Sequence, residues 1–380
     1  MRLSLVTETF PPEVNGVAMT LNRLVRGLAG RGHEVSVIRP RQGSLDRPDG
    51  ATPFRDIVVP GVPLPRYAGL RMGLPVYSRL MRLWMEAPPD VVHIATEGPL
   101  GWAALSAAER MGLPISSSFH TNFHQYGRHY GFGFIKGVAV AYLRHFHNRT
   151  HCTMVPTNQM ADTLRLEEYR NVTVMARGVD TVLFDPARRS DELRRSWGLS
   201  GDDVAVVYVG RLAKEKNVDL AVRAFEQMRK TEPRIRFILI GDGPEGAALK
   251  ARYPDFQFCG MRLGEDLATH YASGDVFLFP SITETFGNVV TEALACGLLV
   301  LTYDYAAGRQ FIRTGVNGLL APFDDPEAYL EEAGRLIALR PEWDRLRRAA
   351  RENALRITWE AVIGDFERLL FDVMTRRRLQ

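Results

Sequence analysis

Residues 281–303, Ser281-Ile-Thr-Glu-Thr-Phe-Gly-Asn-Val-Val-Thr-Glu-Ala-Leu-Ala-Cys-Gly-Leu-Leu-Val-Leu-Thr-Tyr303, decide how the chain is read. Ahead of them, Asp275-Val-Phe-Leu-Phe-Pro280 is a β-branched and aromatic run stopped by proline, which suits a short strand of a parallel sheet covered on both faces. From Asn288 the apolar positions Val289, Val290, Ala293, Leu294 and Cys296 recur at helical spacing until Gly297. The spacing predicts a helix from Gly287, with Thr283 and Thr285 as N-cap candidates. A helix that begins at the end of a parallel strand turns unpaired amides toward whatever lies beyond the sheet edge, and a glycine there lets an anion approach. Glu284 in the loop and Glu292 about two turns inside the helix flank those amides. Carboxylates grip phosphate poorly but accept well from sugar hydroxyls, so the combination points to a ligand that carries both groups, such as a nucleotide sugar. Spacing alone also fits a loop acid and a solvated helix residue.

The wider pattern, strand-Pro-Ser-x-x-Glu-x-Phe-Gly and then Glu-Ala-x-Ala-x-Gly with a second apolar strand, resembles the signature of the retaining glycosyltransferases of family 4, which have the GT-B fold. The resemblance implies that Glu284 contacts the transferred sugar, Glu292 the ribose, and Gly287, Asn288 and Val289 the sugar and diphosphate. It covers nearly the whole chain. Gly210-Arg-Leu-x-x-Glu-Lys-Asn217 resembles the family's donor-phosphate motif, which carries that role to Arg211 and Lys216. Two cations past a strand end are suited to a diphosphate in their own right, arginine by a fork of hydrogen bonds and lysine as a point charge. Pro11-Pro-x-x-Asn-Gly-Val17 resembles the N-terminal loop whose glycine, here Gly16, lies against the donor diphosphate. Phe119-His-Thr-Asn-Phe123 resembles the acceptor-side motif, so His120 joins Glu284 as a candidate catalytic residue. The same family reading places the donor base against the backbone around Met261.

At 380 residues the chain suits two domains rather than one core, and 46% hydrophobic with 24% charged residues is a globular composition. Cys152, Cys259 and Cys296 lie far apart without paired spacing, which argues against a disulfide framework or a metal site and for a reducing compartment. Met1-Arg-Leu-Ser-Leu-Val6 leads straight into an expected strand, a reading without a signal peptide, and no apolar run approaches the roughly 18 residues of a membrane span. The expected location is the cytoplasm. Net charge is +4, but residues 1–175 hold 19 basic and 13 acidic residues and the remainder 29 and 31, so the first half carries the positive field.

Strands are expected at 2–7, 32–39, 90–95, 114–121 and 204–211, with helices between them. The domains read as 1–180 on the acceptor side and 201–355 on the nucleotide-sugar side, with a charged linker at 186–201. In proteins of this fold an amphipathic C-terminal helix, here 356–380, crosses back to the first domain. Gly241, Gly243 and Gly246 satisfy G-x-G-x-x-G after a strand, yet the acidic residue of a dinucleotide site is missing about 20 residues later. His124, His129, His145, His147 and His151 are irregularly spaced and read as surface or packing residues rather than metal ligands. Arg66–Met85 and Arg128–Arg149 interleave basic and aromatic residues, which suits either an anionic membrane surface or a solvated helix face. Nothing resembles a nucleic-acid reading module.

The resulting expectation is an α/β protein of two Rossmann-like domains facing across a cleft. It transfers a hexosyl group, without a metal or other cofactor, from a nucleoside diphosphate sugar to a lipid or glycan acceptor. Thr7-Glu-Thr-Phe-Pro-Pro-x-Val-Asn-Gly-Val17 with Phe119-His-Thr-Asn-Phe123 is similar to the branch with GDP-mannose-dependent mannosyltransferases and the glycolipid synthases related to sulfoquinovosyl transferase. GDP-mannose is the first choice of donor. UDP-linked glucose, galactose or glucuronic acid, a sugar-nucleotide epimerase or phosphorylase of the same fold, and a non-catalytic nucleotide-sugar binding protein are the alternatives. Peripheral contact of the first domain with an anionic membrane is also expected.

Overall fold

The computed structural model describes residues 1–13, 15–43, 46–48, 50–63, 71–120 and 133–378, without side chains for 133–136 and 376–378. Arg66, Tyr67, Leu70, His124, Arg128 and His129 lie outside the described residues. Two compact units divide the chain: Met1–Arg177 with Trp359–Gln380, and Gly178–Thr358.

The first unit contains strands β1 Arg2–Val6, β2 Glu34–Pro40, β3 Arg55–Val59, β4 Gly61–Pro63, β5 Arg71–Gly73, β6 Val91–Ile94, β7 Ile115–Ser118, β8 Cys152–Val155 and β9 Val172–Val174. Seven of them form a parallel sheet in the order β3-β2-β1-β6-β7-β8-β9, while β4 and β5 make a small antiparallel ribbon. Alternation along each strand fills two cores. Leu3, Leu5, Val35 and Val37 pack with the helix Gly16–Gly30 and the C-terminal helix Trp359–Arg378. Val6, Ile38, Val92 and Ile94 face the helices Tyr77–Glu86 and Pro99–Arg110. The C-terminal helix therefore completes the core of the unit in which the chain begins: Val362, Ile363, Phe366, Leu370 and Val373 are buried against it. At Gly27 an added Cβ would stand 2.3 Å from Ile363 Cδ1, so that glycine sets how closely the two helices approach.

The second unit repeats the plan with β10 Val204–Val209, β11 Ile235–Ile240, β12 Gln257–Gly260, β13 Val276–Phe279, β14 Leu299–Tyr303 and β15 Leu319–Ala321, all parallel in the order β12-β11-β10-β13-β14-β15. The expected linker at 186–201 is instead part of this unit. Arg194, in the helix Asp191–Ser196, is 5% exposed and donates to Asp275 Oδ2 at 2.9 Å, while Arg189 reaches Asp275 Oδ1 at 3.0 Å. A charged run reads as solvated only until a buried carboxylate gathers its guanidinium groups. Among the described residues no helix is long and apolar enough to cross a membrane.

Candidate functional site

In an open parallel sheet the crevice that takes a ligand lies beyond the carboxyl ends of the strands, where strand order reverses. In the second unit that switch falls between β10 and β13. Past β10 the chain runs through Gly210 and Arg211 into a 3-10 turn, Lys214–Lys216, then through Asn217 in the left-handed region (φ 55°) to a helix at Val218–Thr231. The helix therefore starts after the cations rather than among them. Past β13 lies the loop Pro280–Phe286, and Gly287, at φ 93° and ψ 62°, is the N-cap of the helix Asn288–Ala295. Neither Thr283 nor Thr285 caps it. Thr283 Oγ1 donates instead to the Glu215 carbonyl at 3.1 Å, tying the two loops together, and no side chain occupies the cap.

These loops bring together residues 68 apart in sequence. Lys216 Nζ donates to Glu284 Oε1 at 2.5 Å, and Ser281 Oγ donates to the same oxygen at 2.8 Å. Both charged side chains are mostly covered, at 20% and 17% exposure, so the pair is weakly screened. Tyr305 donates from its hydroxyl to the Glu284 carbonyl at 2.7 Å and fixes the loop from a third side. Arg211 stands apart, with its side chain 63% exposed and, among the described residues, a single 3.5 Å side-chain contact to Glu215. Asn288 Oδ1 is buried at the helix start without a partner among the described residues.

Glu292 is half-buried, and burial pushes its carboxyl up to about 7, against the opposing pull of the Tyr271 hydroxyl, which donates to Oε2 at 3.0 Å. Met261 is 64% exposed, and its backbone N–H donates to Asp242 Oδ2 at 3.1 Å. Two of the three glycines ahead of it serve packing. A Cβ on Gly241 would meet the Gly210 carbonyl oxygen at 2.0 Å and one on Gly243 the Leu212 carbonyl oxygen at 2.3 Å, so the G-x-G pair lets this turn nest on the loop that carries Arg211.

The first unit has its own switch point, between β1 and β6. Gly16 opens the helix there and is exposed, but the side chain of Asn15 accepts from the Val17 and Ala18 amides at 3.0 and 2.8 Å. His120 follows β7 with both ring nitrogens buried and without a partner among the described residues. Burial first, then the charge of Arg177, hold its pKa well below the usual histidine range, so the imidazole is neutral. His147 is a packing residue, as expected: its Nδ1 meets Ser117 Oγ at 2.9 Å and its Nε2 meets Glu97 Oε1 at 3.1 Å. His151 is likewise bonded to the backbone of Ile115, and His145 stacks on Trp102.

Residues 203–338 match the family described as Glycosyl transferases group 1, and residues 14–183 match Glycosyltransferase Family 4. A GDP-mannose-dependent alpha-mannosyltransferase of Mycobacterium tuberculosis is 35% identical over 372 residues, 96% of this chain and 95% of that protein. This protein is a family 4 glycosyltransferase. An alpha-monoglucosyldiacylglycerol synthase of Acholeplasma laidlawii is 30% identical to the glycosyltransferase and covers 84% of each chain. Among solved structures, a sucrose-phosphate synthase of Thermosynechococcus elongatus superposes on it with a TM-score of 0.82 at 20% identity, covering 99% of both chains. Its fold is GT-B, with two Rossmann-like units. Sequence reasoning about this glycosyltransferase missed Tyr271 and Asp242, because both act through partners about 20 residues away that only sheet packing brings near. Ser281 was missed as well, although its place in the loop three residues before Glu284 was a signal for it.

Proposed function

We propose that this glycosyltransferase moves mannose from GDP-mannose, with retention, to a hydroxyl of a lipid or glycan acceptor. The Lys216–Glu284 pair at the switch crevice of the second unit carries the reading, since it sets a cation suited to phosphate against a carboxylate suited to sugar hydroxyls. Arg211, Lys216 and the Gly287, Asn288 and Val289 amides take the diphosphate, Glu284 the mannose, Glu292 the ribose and the backbone at Met261 the base. His120 and Gly16 take the sugar and diphosphate roles that the family resemblance gives them. In the transfer the bond from the anomeric carbon to phosphate oxygen breaks, with its electron pair going to the phosphate. The acceptor oxygen bonds to that carbon on the same face, and its proton goes to the departing diphosphate. Fixed positive charge at the diphosphate stabilises the leaving group, so the reaction as proposed calls for no metal.

The mannosyltransferase relative supports the donor, while the glucosyldiacylglycerol synthase relative favours a second reading, a UDP-sugar-dependent glycolipid synthase. Thermal shift with GDP and UDP, followed by turnover of GDP-mannose, separates them. Stronger stabilisation by GDP and GDP release on acceptor addition are expected; preference for UDP selects the second reading. Sugar released as an epimer, or binding without turnover, would instead support an epimerase or a binding protein.

The proposal extends to peripheral contact with the anionic cytoplasmic face of a membrane. Arg79, Arg82, Tyr77 and Met85 are exposed on the helix Tyr77–Glu86, whereas Leu80 and Trp84 of the same helix are buried. Each basic residue near an anionic surface contributes about 1 kcal/mol. Binding to phosphatidylglycerol vesicles at low salt that exceeds binding to neutral vesicles is expected, and equal binding to both would reject the contact.

A further inference from the structure

The switch point of the first unit is built from Thr7-Glu8-Thr9 after β1 and Thr96-Glu97-Gly98 after β6, joined by a 2.7 Å bond from the Glu8 amide to Thr96 Oγ1. Its chemistry differs from that of the second unit, where Arg211 and Lys216 follow β10 and only Glu284 follows β13 as the acidic partner of Lys216. Glu8 is fully engaged: its carboxylate accepts from the Gly73 amide and, at 3.0 Å, from the Leu100 amide, with Gly101 adding a third bond. Glu97 is not. One of its oxygens meets His147 Nε2 at 3.1 Å, and among the described residues its Oε2 takes no hydrogen bond. The side chain is 13% exposed. Tyr142 donates to the Glu97 carbonyl at 2.5 Å, so backbone and side chain are both held.

A second observation points to a ligand at the same edge. His120, at the end of the adjacent strand β7, has two buried ring nitrogens without partners among the described residues, and His147, which holds Glu97, is among the groups whose charge acts on it. A buried polar atom without a partner costs about 1–3 kcal/mol; a ligand hydroxyl meeting it removes that cost. Apart from Gly16, to which the proposed function gives the donor diphosphate, the two helices that open on this edge offer little to an anion, because Asn15 takes the Val17 and Ala18 amides of one and Glu8 the Leu100 amide of the other. Glu8 and Glu97 would also repel a phosphate. Arg177, past the end of β9, is the cation that acts on His120 from this edge.

We propose that Glu97 binds the acceptor in this glycosyltransferase, accepting on its free oxygen a hydrogen bond from a hydroxyl of a neutral sugar or polyol, and that the acceptor end entering this crevice carries no phosphate. The inference rests on the glycosyl-transfer reading and names the substrate class for the first unit. The proton on that hydroxyl is shared and not transferred, so no bond changes at Glu97.

The experiment compares wild type with Glu97→Gln and Glu97→Lys. Methyl α-mannoside and glycerol serve as neutral acceptors and inositol 1-phosphate as the anionic one, with GDP-mannose as donor. In wild type the neutral probes are expected to be glycosylated or to suppress donor hydrolysis, and inositol phosphate to do neither. Glu97→Gln should raise the KM for the neutral probes at least tenfold, while GDP affinity by calorimetry and melting temperature hold. Glu97→Lys should gain a response to inositol phosphate. A wild type that responds to no neutral probe, or only to the phosphate, overturns the proposal. Parallel loss of GDP affinity and melting temperature in Glu97→Gln also overturns it, because Glu97 would then only support His147. Failure of wild type to bind any nucleoside diphosphate would count against the glycosyl-transfer reading itself.

Discussion

Glu284 and Lys216 neutralise each other, and that changes what single substitutions do. Considered as separate ligands, Glu284 with the sugar and Lys216 with phosphate, Glu284→Gln should spare affinity for a free nucleoside diphosphate. The 2.5 Å pair alters the expectation: Glu284→Gln frees Lys216, so affinity for GDP rises by a few fold in calorimetry while turnover of GDP-mannose falls. Lys216→Ala removes a charge-assisted contact and leaves Glu284 facing the phosphate, so a loss of about 1.5–3 kcal/mol in GDP affinity is expected. Glu292 gives the pH dependence. Its carboxyl is raised from 4.5 to about 7, so between those values the folded state holds a proton that the unfolded state releases, and stability falls as pH rises through that window. Glu292→Gln is therefore expected to raise the melting temperature at pH 8 and leave it nearly unchanged at pH 4. Ligand hydroxyls need the ionised acceptor, so wild-type GDP affinity weakens below about pH 7, and Tyr271→Phe moves that midpoint up. An unshifted midpoint would show that Tyr271 only packs.

The helix Asn288–Ala295 is short, and its start is set by Gly287 at φ 93° rather than by a capping side chain. An added Cβ there finds ordinary contact distance, 3.5 Å to Glu284 Cγ, so Gly287→Ala strains the backbone without a clash. A cost of about 1 kcal/mol is expected. Gly243→Ala is different in kind, because its Cβ would sit 2.3 Å from the Leu212 carbonyl oxygen and push the Arg211 loop aside. Denaturant unfolding should therefore show a clearly larger loss for Gly243→Ala than for Gly287→Ala, and equal losses would contradict the nesting of the two loops.

Two features hold the units together. Asp275 lies at the amino end of β13 and accepts from Arg189, Arg194 and the Ala205 amide, with Arg347 at 3.5 Å. Removing its charge leaves the buried Arg194 guanidinium uncompensated, so Asp275→Asn should destabilise the second unit by about 3–5 kcal/mol in thermal or denaturant unfolding. The C-terminal helix does the equivalent for the first unit. Phe366 is fully buried, with its ring edge-on to His93 at 5.0 Å. Phe366→Ala should cost about 3–5 kcal/mol while GDP affinity, which the proposed function assigns mainly to the second unit, is retained in protein that is still folded. Loss of both together would show that the units unfold as one.

The strands near 2–7, 32–39, 90–95, 114–121, 204–211 and 275–280, both βαβ plans and the helix start at Gly287 were legible in the sequence, because buried parallel strands are written as continuous apolar runs and turns as glycine and proline, whereas β3, β4, β5, β8 and β15 went unread. Arg211, Lys216, Glu284 and Glu292 were legible as types beyond strand ends. What the sequence does not contain is distance between elements. That Lys216 meets Glu284 across 68 residues, that Tyr271 holds Glu292, and that Glu97 keeps one oxygen free while Glu8 keeps none follow from strand order and register. The linker misreading has the same cause: a run of arginines looks solvated until a carboxylate at a distant strand end neutralises it in the interior. Local pattern determined which elements form and where each crevice opens. Only the packed sheet decided which charges are left for a ligand, because pairing is a property of space and not of spacing.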